Sequence, residues 1–416
     1  MQDTTVAVVG GGLAGLTAAR HLAAAGADVT LFERNGAVGG RVRTASVDGF
    51  RLDRGFQVLF TSYPAARREL DFDALDLRRF AAGATICRPN RRAVLADPLA
   101  DPGAAIETLF NRDATLGDKL RILRLRRELS GTDPETAFDG SDQSIREFLA
   151  DRGFSERIVD RFFAPFYGGI TLDRSLSTSA AVFRFTFAML GAGDAAVPAA
   201  GMGAIAEQIA DAARDAGARI ETDTAVTGID GSTVEFSGET VAADAVIVAT
   251  DPKNARDLTG VDAIPTAGRG CVTQYYRFPD SFSLSAGKRL LLNARADGPN
   301  QVVPHSEVAP EHAPDDATLV SATFLGDATD DDALATATTE TLRSWYPERQ
   351  VPTPEVLRTD RIPFAQFAQP PGFYDDTPDV SAPDGPVYLA GDYTRDSSIN
   401  GAIESGRDAA AALRED

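Results

Sequence analysis

Gly10-Gly11-Gly12-Leu13-Ala14-Gly15 is a G-x-G-x-x-G run, and an acidic residue, Glu33, stands 18 positions after Gly15. Glycines let backbone N–H groups approach a pyrophosphate, and a helix opening at that point adds partial positive charge. A carboxylate at this spacing accepts a ribose hydroxyl, and it opposes a 2′-phosphate. The chemistry implied is the holding of a dinucleotide, of a kind that Glu33 alone does not decide. Gly39-Gly40-Arg41 and Asp53-Arg54-Gly55 follow, and paired glycines allow a second backbone segment to lie close to the same molecule. Near the other end, Gly391-Asp392 and then Ser398-Ile399-Asn400-Gly401-Ala402 follow an apolar run at 387–390. A helix opening there presents free N–H groups and partial positive charge.

These residues need elements to place them. Residues 6–9 are an unbroken apolar strand, as in a parallel sheet covered on both faces. Residues 13–25 read as a helix with Leu16, Ala19 and Leu22 on one face and Gly26 as its stop. Residues 29–32 form the next strand, completing a βαβ unit. The rhythm then changes, with helical segments at 116–130, 144–152 and 156–163. It resumes with a helix at 204–216, a strand starting at 219–221 and a buried strand at 245–249. Alternating segments such as 271–278 and 319–325 follow, and Asp330-Asp331-Asp332 opens a helix that Pro347 ends. The expectation is an α/β chain with a Rossmann-like dinucleotide-binding domain built from discontinuous segments, residues 1–63, 196–260 and 380–416. A helical insertion, 64–195, and a β-rich segment, 261–379, would form an α+β substrate domain.

With 416 residues, 43% of them hydrophobic, the chain can bury a large core. Its formal net charge of −20 argues against nucleic-acid binding. Lysine occurs only at Lys119, Lys253 and Lys288, while Asp is abundant, which points to a cytoplasm of high salt. Cys87 and Cys271 form no C-x-x-C pair and read as buried free thiols. No metal spacing exists among His21, His305 and His312. No signal peptide precedes the first motif and no apolar run approaches about 18 residues, so a cytoplasmic protein is expected.

The stretch "FERNGAVGGRVRT…LDRGF" together with "VYLAGDYT…SSINGAIESG" resembles the flavin amine oxidase superfamily, which includes amine oxidases, protoporphyrinogen oxidases and carotenoid desaturases. The resemblance implies FAD as cofactor. It places Gly10, Gly12, Leu13, Ala14, Gly15, Glu33 and Arg34 at the adenosine and pyrophosphate, and Gly39, Gly40 and Arg41 at the pyrophosphate and flavin. It sets the Val226 backbone at the adenine and Gly391 and Asp392 at the ribityl phosphate. The helix that Ile399, Asn400 and Ala402 open is aimed at the flavin ring, where its N-terminus favours the anionic reduced form.

"LAGDYT" is more similar to carotenoid desaturases than to amine oxidases. Where amine oxidases place an aromatic, this chain has Ser398, and Asn400 stands where desaturases commonly have Glu. The resemblance implies hydride transfer from an apolar isoprenoid to flavin N5, with a quinone or oxygen as final acceptor. Oxidation of a porphyrinogen or an amine, and redox-neutral isomerisation of a polyene, remain alternatives. Phe56, Phe163, Phe166, Tyr167 and Ser398 are the candidate substrate residues. Phe162, Phe163, Phe166 and Tyr167 either wall an apolar tunnel or fill a core. The basic stretch 118–128 is either a peripheral membrane contact or a solvated helix.

Overall fold

A computed structural model describes residues 1, 3–96, 108, 111–130, 134–140 and 142–415. Strand β1 (Thr5–Val9), helix α1 (Leu13–Ala24) and strand β2 (Asp28–Phe32) form the expected βαβ unit, with Val6 opposite Val29 and Val8 opposite Leu31. Helix α2 (Pro64–Glu69) and helix α3 (Leu116–Leu129) come later in the chain, followed by α4 (Gly203–Asp215). Strands β3 (Arg219–Glu221), β4 (Ala245–Val248) and β5 (Val387–Leu389) complete the first sheet, and α5 (Ile399–Glu415) ends the chain.

The first sheet runs β3-β2-β1-β4-β5, and every pairing is parallel. Its central strands are short runs of Val, Ile and Ala buried on both faces, which suits them to a covered parallel sheet. α1, α4 and α5 cover one face, where Leu16, Leu22, Ile205, Ile209, Ile403 and Leu413 share a core. An antiparallel meander, Val226–Asp230, Thr233–Phe236 and Glu239–Ala242, packs near the other face through Val234 and Phe236, beside Phe32 and Val248.

A second, seven-stranded sheet holds Gly268–Pro279, Ala317–Leu325 and Glu355–Phe367 at one side. The helix Asp331–Trp345 packs on it through Leu334, Leu342 and Trp345, and its Asp330 cap accepts from Asp332 N and Ala333 N at 3.0 Å.

Among the described residues of 64–195, strands stand where the sequence suggested a helical insertion. Ala84–Arg88 and Arg91–Leu95 form a hairpin that joins the second sheet, turning at Asn90 with φ of 60°. Its sheet partner, Leu290–Asn293, lies some two hundred residues on, so no local pattern announces the pairing. Leu77–Arg79 is a further strand. The three helical segments expected here fall close to their places, while Pro64–Glu69 and Ala180–Ala192 are helices that the sequence reading did not name. Two start on capping boxes, Thr115 with Asp118 and Ser144 with Glu147. The segment 156–163 is one α-turn, Glu156–Ile158, running into a π-helical turn, Val159–Phe163, and then the helix Ala164–Thr171.

Candidate functional site

A single cavity of about 2340 Å³ runs from the β1–α1 turn to α3. Pockets for one small ligand hold about 300–1,000 Å³, so this one has room for a dinucleotide and a second molecule.

The turn after β1 is shaped by what its glycines touch. Gly10 has φ of +111°, and a Cβ there would lie 2.6 Å from Ala249 O. A Cβ at Gly15 would lie 2.0 Å from Gly10 O, so this glycine holds α1 against the turn and does not border the cavity. Gly12 borders the cavity, and a Cβ there would meet no protein atom within 4 Å. α1 has no side-chain cap at Gly12 and no acid in its first turn. Its first N–H groups, beside Leu13 and Ala14, are therefore open to an anion. Glu33 is buried at the end of β2, where Oε2 accepts from Gly11 N at 2.8 Å and Oε1 accepts from Asn35 N at 2.9 Å. Asn35 Nδ2 also donates to Oε1, so it is Oε2 that keeps a lone pair for a hydroxyl. Arg34 borders the same end and pairs with Asp251 at 3.4 Å.

The second glycine pair lies against the first, as its spacing implies. Gly39 N donates to Gly11 O at 2.7 Å, and a Cβ at Gly40 would stand 3.3 Å from Gly12 Cα. Arg41 reaches across to Asp392 at 2.6 Å and to Ala365 O at 3.2 Å. Burial works to lower the proton affinity of Arg41, but the charge and hydrogen bond of Asp392 outweigh it, and the guanidinium stays charged. Val226 and Thr224 border this end too. Asp53 works elsewhere: it is buried, accepts from Thr44 Oγ1 at 2.6 Å and Met202 N at 2.8 Å, and so ties this region to the start of α4.

At the C-terminal motif, Gly391 N donates to Ser405 Oγ at 2.8 Å, which holds the end of β5 against α5. Gly391, Asp392, Ser398, Ile399 and Ala402 all border the cavity. Ser398 Oγ accepts from Gly401 N at 2.9 Å and caps α5. Asn400 does not border the cavity. Its Oδ1 accepts from Ala65 N at 2.9 Å, giving α2 the cap that Tyr63 does not supply.

One residue escaped the sequence reading. Asp396 is buried and borders the cavity. Burial pushes its carboxyl up to about 7; the Ser398 hydrogen bond opposes this, the Asp392 charge adds to it, and Arg395 opposes it again. The sequence signal was slight, since an Asp in a Ser-rich loop is ordinary there.

Beyond the flavin motifs the wall turns aromatic. Phe56 and Phe166 border the cavity half-buried, and Phe162 stacks on Phe166 with centroids 5.4 Å apart. Phe163 and Tyr167 are fully buried with Phe183 and back this wall from the helical core. The aromatic run therefore serves both as wall and as core. Leu116, Lys119, Leu120, Ile122, Leu123 and Arg126 of α3 border the far end. The histidines lie outside the cavity's wall: His21 pairs with Glu69, His305 bonds Ser321 Oγ, and His312 bonds Pro198 O. Both cysteines are buried free thiols.

A parallel sheet of this order, with a glycine-lined, uncapped helix start and a second glycine pair laid against it, defines a dinucleotide-binding fold. The family model described as flavin containing amine oxidoreductase matches residues 13–414, and the chain belongs to that family. Its family's cofactor is FAD, and the open N–H groups at the start of α1 and the close glycine approaches at Gly39 and Gly40 fit that group.

Among curated relatives, a phytoene dehydrogenase of Streptomyces griseus is 32% identical over 290 residues, 59% of this chain and 54% of that protein. A carotenoid 3,4-desaturase of Haloarcula japonica is 60% identical over 50 residues, 12% of this chain and 10% of the other. Protoporphyrinogen oxidase 2 of Arabidopsis thaliana is 29% identical over 167 residues, 39% of this chain and 32% of the other. The chain thus spans about half the length of the first of these relatives, 54%, and less of the others. Among solved structures, an oxidoreductase from Methanosarcina mazei matches with a TM-score of 0.75 at 18% identity, over 99% of this chain and 100% of that one. A putrescine oxidase matches with a TM-score of 0.71 at 18% identity, over 100% of both chains. At that identity the structures speak for the fold alone.

Proposed function

We propose that this chain desaturates a long apolar isoprenoid of the carotenoid kind, using FAD held along the β1–α1 turn. In this reading the N–H groups at Gly12, Leu13 and Ala14 take the pyrophosphate, and Gly10 and Gly15 shape the turn. Glu33 takes the ribose, Arg34 flanks it, and the Val226 backbone meets the adenine. Gly39, Gly40 and Arg41 lie at the pyrophosphate and flavin, Gly391 and Asp392 lie beside the ribityl portion, and Ile399 and Ala402 bring the start of α5 to the flavin. Asn400 contributes by fixing α2 against α5.

Bound FAD supplies a two-electron acceptor that takes hydride from an allylic C–H. The chain supplies the surroundings. Phe56, Phe166 and Ser398 orient the substrate, while Phe163 and Tyr167 stiffen the wall, and this apolar lining keeps water from the reacting carbons. A proton leaves the adjacent carbon as the double bond forms, and the helix N-terminus of α5 stabilises negative charge that arrives near it. The electrons pass on to a quinone or to oxygen.

The observation that carries this reading is the continuous cavity, glycine-lined at one end and aromatic beyond it. The similarity to a phytoene dehydrogenase and to a carotenoid desaturase supports it. The test is anaerobic mixing of FAD-loaded protein with carotene intermediates in liposomes. Loss of the oxidised-flavin absorbance, with a product two hydrogens lighter, is expected. A product of unchanged mass would assign isomerisation instead. The relative that is a protoporphyrinogen oxidase favours a second reading, porphyrinogen oxidation, and bleaching by a porphyrinogen but not by carotenes would establish it.

A further inference from the structure

We propose that the outer face of α3 is a docking surface that seats the mouth of the cavity on an anionic lipid bilayer. The proposal rests on the apolar-substrate reading above and gives that substrate its source.

Leu116, Leu120 and Leu123 are 67%, 60% and 41% exposed. They recur at i, i+4 and i+7, which aligns them in one stripe along the helix. Among the described residues the other exposed large apolar side chains are Val241 and Val356, both in strands far from α3 in sequence. The opposite side of α3 is its anchor. Leu125 and Asp118 are buried there, and Asp118 accepts from Thr115 N at 2.8 Å and Ser155 N at 2.9 Å. The helix's other acid, Glu128, pairs with Arg152 at 2.9 Å. Both acids are thus engaged within the chain, while Arg124 and Arg127 stand exposed beside the leucines.

A chain of net charge −20 is repelled as a whole by an anionic surface. One basic face with an apolar stripe therefore fixes which way round it approaches. The same three leucines border the cavity. A folded protein seated on them would close the mouth, whereas a fluid bilayer fills the gap between the leucines and lets an apolar molecule pass inward. This is the observation that selects lipid over a second copy of the chain.

The experiment is flotation of the FAD-loaded protein with vesicles of phosphatidylglycerol or of phosphatidylcholine alone. Binding to the first and little to the second is expected. Changing Leu116, Leu120 and Leu123 together to Ser should lower partition by more than about a hundredfold, because three apolar side chains lose their burial. The pair Arg124→Glu and Arg127→Glu should lower it by at least about thirtyfold, from the value of each basic residue near such a surface. The arginine pair keeps the test open if the leucine variant loses its flavin. Equal binding to both vesicles, or variants that float like the wild type, would overturn the proposal. A dimer in sedimentation that depends on the leucines, without flotation, would assign the face to a second copy. Flotation requires no substrate, so protein that floats but is not bleached by carotenes sinks the substrate reading and leaves the docking surface standing.

Discussion

A Cβ at Gly15 would lie 2.0 Å from Gly10 O, whereas one at Gly12 would meet no protein atom within 4 Å. Both positions belong to one motif, yet one is pressed against the fold and the other opens on the cavity. Gly12 has φ of −78° and ψ of 177°, which alanine adopts without strain. Gly12→Ala should therefore leave the apoprotein's stability within about 0.5 kcal/mol of wild type. It should still weaken FAD at least about tenfold, or about 1.4 kcal/mol, by placing a methyl where the pyrophosphate approaches. Gly15→Ala should cost about 1–3 kcal/mol of stability through overpacking and lose FAD with it. Urea denaturation and flavin titration of the apoprotein separate the two, and unchanged FAD binding by Gly12→Ala would move the cofactor away from this turn. Asp396 makes a second residue-scale case. Its carboxyl ordinarily loses its proton near 3.8 but holds it to about 7 in the fold. Between those values the native state carries a proton that the unfolded chain has released, so this group's contribution to stability falls as pH climbs from 4 to 7 and is flat above. Asp396→Asn keeps the neutral shape, so its advantage over wild type should grow over that window, to a ceiling of about 4 kcal/mol. Denaturation at pH 5 and pH 8 measures it, and an advantage no larger at pH 8 would refute a buried, proton-holding carboxyl. The glycines were legible in the sequence because each is defined by its distance from a strand. Asp396 was not, because its burial comes from segments folded around the loop, not from its neighbours in the chain.

Elements show the same division between local and distant causes. β1, α1 and β2 could be read from sequence because an apolar run, a 3.6-residue stripe and two glycine stops all fall within about 30 residues. The helix starts at Thr115 and Ser144 carry their caps in the sequence as well. The hairpin of Ala84–Arg88 and Arg91–Leu95 could not be read, since its partner strand lies far down the chain. Asn400 was read as a flavin contact because it sits in the flavin motif, and what diverts it is α2, an element with no cap of its own. Asn400→Ala should then cost about 1 kcal/mol, the usual value of a lost helix cap, while FAD affinity changes by less than about twofold. The same interface is held by Glu69, which accepts from Arg20 at 3.0 Å and pairs with Arg407 of α5 at 3.3 Å. Urea denaturation of Asn400→Ala alongside flavin titration is the check. A large loss of FAD affinity at normal stability would return Asn400 to the cofactor.

At the scale of the whole molecule, the first sheet closes only when β5 joins β4, so the site waits on the last segment of the chain. No helix among the described residues is long and apolar enough to cross a membrane, and the charged side chains lie largely at the surface. The charge of that surface has its own consequence. Acids number 61 against 41 Lys and Arg, leaving an excess of 20 that no cation can match. Exposed ion pairs such as Arg214–Asp211 and Arg256–Asp262 each contribute only about 0–1 kcal/mol, so salt has little there to remove. The unmatched acids repel one another over longer distances, and salt screens that repulsion as the Debye length falls from about 10 Å at 0.1 M to about 3 Å at 1 M. The melting temperature should therefore rise steadily with KCl over this range, and differential scanning fluorimetry would show it. A fall would mean that attraction within pairs outweighs repulsion among the excess, and that the acidic surface is not under strain at low salt. The same screening acts oppositely on the α3 face. Salt removes the pull of Arg124 and Arg127 on anionic lipid and leaves the leucines, so high salt should stabilise the fold while making membrane binding depend on the apolar stripe alone.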